Sequence, residues 1–157
     1  MTPYLQIISR LLQSFWEINE SINIQSLFAP INLSETTSQS DRNFELLTPI
    51  PVNISVFSFT DTDGRPTQLE LNLRKDTKEL VNSRIITFFT DMIRRDEYFQ
   101  TYIEPYFRQG FQRAEQPKYS ELPLIEYHRG ELIVGVHCNQ TLHMPFISIY
   151  VTVGEFY

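Results

Sequence analysis

Apolar positions change their spacing several times along the chain, and each change marks a predicted element. Tyr4, Leu5, Ile8, Leu11, Leu12, Phe15, Ile18 and Ile22 recur at helical spacing, which is the stripe of an amphipathic helix. Thr2-Pro3 supplies an N-cap and a proline suited to the first helical position, so a helix is predicted over residues 3–22. The run from Ser34 to Asn43 holds no apolar residue and reads as a mobile surface loop.

From Val52 the period shortens to two. Val52, Ile54 and Val56 alternate with Asn53 and Ser55, and Leu69, Leu71 and Leu73 alternate with Gln68, Glu70 and Asn72. Between them stands Asp63-Gly64, which as a two-residue loop favours a type I′ turn. That turn pairs Ser58 with Leu69, Val56 with Leu71 and Ile54 with Leu73, and it puts Phe57 and Phe59 on the opposite face. Asp76-Thr77-Lys78-Glu79 has the form of a capping box. Leu80, Val81, Ile85, Ile86, Phe88, Phe89, Met92 and Ile93 then predict a deeply buried helix with Arg94-Arg95 in its last turn. Residues 96–110 continue as helix, broken or restarted at Pro105 and ended at Gly110.

The last third reads as strand. Residues 122–128, 131–138 and 142–153 form an antiparallel meander, with Cys138 opposite His143, Val136 opposite Pro145, Val134 opposite Ile147 and Leu132 opposite Ile149. The order of elements gives an α+β fold, a single domain over residues 1–157. Its sheet has roughly five antiparallel strands, one hairpin plus a C-terminal three-stranded meander, with helices packed on one face.

Composition narrows the classes. A chain of 157 residues holds one core. A net charge of −6 and a pI near 5.0 make it a poor binder of polyanions. Cys138 is the single cysteine, which excludes an internal disulfide framework and an all-cysteine zinc site. No basic leader precedes a long apolar run and no apolar stretch is long enough to span a bilayer, so the expected location is cytoplasmic, without membrane insertion.

Several constellations could carry chemistry. Asp61-Thr62-Asp63-Gly64 after an apolar run resembles the nucleophile motif of haloacid-dehalogenase-type phosphatases. Arg65 stands where that motif has threonine, and a strand follows where a crossover helix is needed, so a hairpin turn accounts for these residues. Cys138 and His143, opposite one another in the predicted register, would be the nucleophile and base of a hydrolase or transferase. His128, His137, Cys138 and His143 match no metal-ligand spacing and alternate between faces, so neither metal nor cofactor is expected. Arg94, Arg95, Arg108 and Arg113 interleave with Tyr98, Tyr102 and Tyr106, a composition suited to single-stranded nucleic acid, but acidic residues in the same stretch nearly cancel the charge.

The aromatic content decides the expectation. Twelve Phe, eight Tyr and one Trp exceed what one small core readily hides. Phe57, Phe59, Tyr98, Tyr102, Tyr106, Val151, Val153, Phe156 and Tyr157 are the expected interface residues, the last four on a terminal strand placed at a sheet edge. The expected function is therefore non-enzymatic: a protein–protein interaction or assembly subunit of a larger complex, partnered by another protein or by its own copies. A viral or phage structural component and a bacterial adaptor both fit.

Overall fold

The computed structural model describes residues 1–43, 50–114, 124–139 and 143–154. Helix α1 (Pro3–Ser14) opens as the sequence predicts, with Pro3 in its first turn and the Thr2 hydroxyl accepting from the Leu5 N–H. It stops earlier than residue 22. A 3₁₀ turn (Phe15–Glu17) follows, and Ile18 is extended. There the chain pairs with a distant turn, Leu80 N–H donating to the Ile18 carbonyl and Glu20 N–H to that of Lys78. Ile18 still reaches the core, from extended backbone rather than from a helix. A single turn, α2 (Ile24–Leu27), capped by Asn23, ends this region.

Eight strands form one antiparallel sheet: β1 (Ser34–Asn43), β2 (Pro51–Thr60), β3 (Pro66–Arg74), β4 (Leu80–Phe88), β5 (Gln112–Arg113), β6 (Leu124–Arg129), β7 (Leu132–Cys138) and β8 (Phe146–Val153), in the order β1-β2-β3-β4-β8-β7-β6-β5. The fold is thus α+β with an antiparallel sheet, but with eight strands among the described residues in place of the roughly five expected. Two four-stranded meanders meet along β4 and β8. Between β4 and β5 the chain crosses the second meander through α3 (Met92–Tyr98), a π turn (Phe99–Ile103) and α4 (Glu104–Arg108). No helix is long and apolar enough to cross a membrane among the described residues.

Three expectations are overturned by the added strands. The polar segment 34–43 is the edge strand β1, paired with β2 through backbone groups that do not depend on side-chain polarity. The predicted helix after residue 79 is β4, whose pattern of burial follows a period of two through Ser83, Ile85 and Thr87. Val81, Ile85, Ile86 and Thr87 are β-branched and suit a pleated surface. The capping-box residues instead close the β3–β4 turn, where Lys78 N–H donates to the Arg74 carbonyl and Arg74 N–H to that of Glu79.

Register supplies two further corrections. The β2–β3 turn has three loop residues, Thr62, Asp63 and Gly64, closed by Asp61 N–H donating to the Arg65 carbonyl. Asp63 (φ 62°) and Gly64 (φ 75°) both take the left-handed conformation that Asp-Gly favours. One residue more than a type I′ loop moves the pairing by one, so Phe57 faces Leu69 and Ser55 faces Leu71. Every side chain changes face. Phe57 and Phe59 therefore join Leu69, Leu71 and Leu73 beneath the helices, while Val52 and Ile54 form a small cluster with Val81 on the other side. On β7 and β8, Cys138 faces Ile147 and Leu132 faces Val153, four residues from the expected register. An even shift keeps the apolar face intact but separates Cys138 from His143.

The main core lies between the sheet and the helices. Tyr4, Ile8, Leu11, Ile103 and Phe107 pack on Leu69, Ile85, Val134, Ile149 and Val151. The Tyr4 hydroxyl is buried at the seam of the two meanders, donating toward the carbonyls of Ile85 on β4 (3.0 Å) and Ile147 on β8 (3.1 Å). On the opposite face the Tyr150 ring lies over Gly135, where a Cβ would meet it at 2.2 Å.

Candidate functional site

The β2–β3 turn, the N-terminus of α1 and the α3 segment meet at one end of the sheet, and Asp61 joins them. Its side chain is fully buried and accepts from the Tyr4 backbone N–H (2.8 Å), an Arg65 Nη2 (2.9 Å) and the Tyr98 hydroxyl (3.3 Å). The Tyr98 hydroxyl also bonds the Thr2 hydroxyl at 2.7 Å. Burial pushes the Tyr98 phenol well up from its ordinary value, so it stays protonated.

Arg65 extends from this anchor along two rings. Its guanidinium carbon is 4.9 Å from the centroid of Phe89 and 4.7 Å from that of Tyr98. Tyr98 in turn meets Tyr102 at 4.9 Å. Helix α3 supplies Tyr98 through the Asp91 N-cap, whose carboxylate accepts from Arg94 N–H. The π turn then carries Tyr102. Pro105 has no N–H for the ladder and its ring would press on a preceding carbonyl, and here Glu104 N–H reaches back five residues to Phe99. Such widened turns recur at functional sites.

These residues line an open cleft of about 540 Å³, bounded by Asp63, Arg65, Phe89, Arg94, Glu97 and Tyr102 among others. One exposed aromatic side chain lines it, and three further exposed apolar residues neighbour the segments that form it. Tyr102 is 45% exposed and lines the cleft, and Ile93 at 72% precedes Arg94. Met1 precedes the Thr2–Tyr98 contact. Met144, at 54%, offers its carbonyl to Asn139, whose oxygens hold Arg95. Of the exposed large hydrophobic side chains, Met1, Ile93, Tyr102 and Met144 thus belong to this end, and Trp16 follows the far end of α1.

The expected interface residues divide. Tyr102 is exposed, Phe57 and Tyr106 are half-buried against the core, and Phe59 and Tyr98 are buried. Val151 and Val153 are buried in β8, which is a central strand and not an edge. Phe156 and Tyr157 lie outside the described residues. The basic residues do not converge either. Arg95 is buried and bonded to Asn139 and Asp96, Arg108 pairs with Glu104, Arg113 sits on β5, and Arg94 alone reaches the cleft.

The register does not set Cys138 opposite His143, because Cys138 faces Ile147. His143 is exposed in the β7–β8 connection, whereas Cys138 is half-buried on the helix-covered face. Burial pushes its thiol up to about 11 against the opposing pull of Arg95. Alkylation of native Cys138 is therefore expected to be slow at neutral pH and to rise steeply only near pH 11. A thiolate titrating below the free-thiol value of about 8.5 would contradict this geometry. Elsewhere, His128 contacts the buried Glu126 at 2.8 Å, and His137 lies edge-on to Phe146 with its pKa lowered by burial and by Arg84 and Arg95. No group of three or more potential metal ligands converges among the described residues.

Sequence reasoning singled out Asp61 and Asp63, though only as a turn, and it missed Arg65, Phe89 and Glu97 as parts of one cleft. The usable signal was the Asp61–Arg65 spacing, but its partner Tyr98 lies too far along the chain to be matched by pattern. Comparison with known proteins gives no match to any family model, curated protein or solved structure.

Proposed function

We propose that the chain is a non-enzymatic assembly subunit that docks on a partner protein through the end of the sheet around the Arg65–Tyr102 cleft. The observation that carries this reading is the exposed Tyr102 in the cleft, with exposed Met1, Ile93 and Met144 beside segments that reach it, while most other large apolar side chains among the described residues are buried. Concentrated apolar exposure rimmed by charge marks contact surfaces. The rigid base beneath it, Asp61 with Arg65 and Tyr98, holds the surface in one shape before binding, which lowers the ordering cost of association. The reading keeps the expected function but moves the contact away from the terminal strand.

Peroxide oxidation of Met144 reads the surface directly. The sulfoxide is expected to form quickly in the dilute purified chain and slowly in the native assembly, and Ile93→Asp should abolish the protection without moving the urea midpoint. Equal oxidation in both states would remove the docking surface.

A further inference from the structure

We infer that the cleft receives a cationic side chain, lysine or arginine, from a basic segment of the partner; this rests on the docking reading above. Asp63 and Glu97 line the cleft with Arg65 and Arg94, and each guanidinium has a further carboxylate behind it, Asp61 on Arg65 and Asp91 on Arg94. Both guanidiniums already face a carboxylate, although the buried Arg65 Nε–H has no hydrogen-bond partner among the described residues. Arg65 holds the buried Asp61 at 2.9 Å and approaches Asp63 at 3.7 Å, and Arg94 pairs with Asp91 at 3.6 Å. Glu97 lines the cleft with no ion-pair partner among the described residues, and Asp63 is 83% exposed. The uncompensated charge is negative, so the complementary group is a cation.

The walls favour the same ligand. The Phe89–Tyr98 ring pair already accommodates one guanidinium, that of Arg65. The next ring in the row, Tyr102, presents an exposed surface in the cleft that Glu97 also lines. The aliphatic stem of a lysine or arginine suits the ring faces of Phe89 and Tyr102 that line the cleft, and about 540 Å³ admits such a side chain with its flanking backbone. At longer range a chain of net charge −6 attracts basic partners. An anionic ligand would meet Glu97 and Asp63, and the two guanidiniums it could approach each already face a carboxylate.

The test is an amide-resolved NMR titration of the full chain with the blocked amino acids acetyl-arginine methylamide and acetyl-lysine methylamide, with acetyl-glutamate methylamide as the charge-reversed control. The two cationic probes are expected to shift the amides of Phe89, Glu97 and Tyr102 saturably, and the glutamate probe to leave them in place. Glu97→Gln should weaken the cationic probes about fivefold, and added salt should weaken them further. Tyr102→Leu should weaken them by about threefold. No response to either cation, an equal or stronger response to glutamate, or indifference to Glu97→Gln would overturn the inference. Shielding of Met144 in the native assembly without a response to the cations would retain the docking surface and remove the cationic ligand. Saturable cation binding with Met144 unshielded would do the reverse.

Discussion

Asp61→Ala is expected to destabilise the protein by about 3–5 kcal/mol, the cost of removing one partner from a buried ion pair. The carboxylate is fully buried and Arg65 is only 16% exposed, so the guanidinium left behind cannot recover its hydration. The Tyr4 N–H loses its acceptor in the same step, at the first turn of the helix that covers the sheet, and the Tyr98 hydroxyl loses one of its two partners. Against a total stability of about 5–15 kcal/mol for a domain of this kind, that is a large fraction. Asp63→Asn, two residues away, 83% exposed and able to keep the left-handed backbone, is the control and should stay within about 0.5 kcal/mol of the native chain. Urea unfolding of both variants checks the difference. Similar midpoints for the two would show that Asp61 does not anchor the site.

Removal of residues 151–157 is expected to abolish the cooperative fold altogether. A terminal strand at an edge would tolerate this, and its loss would reduce only association. In the observed topology β8 pairs with β4 on one side and β7 on the other. Val151 and Val153 face the main core, and the Thr152 hydroxyl donates to the Val81 carbonyl at 2.9 Å. Truncation opens both ladders and removes two core side chains, which together exceed the stability available. Circular dichroism with a thermal scan is the measurement, and a native-like cooperative transition in the truncated chain would contradict the central placement of β8.

The sequence reveals local periods well and relations between distant segments poorly. The start of α1 is legible because Thr2-Pro3 and the apolar stripe agree. Three of the four strands of the second meander are legible because Gly130 marks the turn between two apolar runs, although the loop is Gly130-Glu131 and β5 carries too short a run to be read. β4 misleads because its Leu80, Val81, Ile85 and Ile86 satisfy a helical stripe as readily as a strand with one irregular pairing, and Asp76 to Glu79 imitates a helix cap. β1 is illegible because an edge strand held by backbone bonds needs no apolar signature. The β2–β3 register turns on whether two or three residues occupy the loop, and Asp63-Gly64 is compatible with both. The candidate site suffers most. Tyr98 reads as part of an aromatic surplus until the fold brings it to Asp61 and Arg65, and only then do the neighbouring Glu97 and Tyr102 acquire a common cleft.

The meeting of the two meanders along β4 and β8 has a consequence for synthesis on the ribosome. When β4 has emerged, its free edge must wait until Phe146 to Val153 have been translated before it is covered. During that interval the amino-terminal half presents a ready template for pairing with other nascent chains, a hazard of non-local strand order that helpers of folding exist to contain.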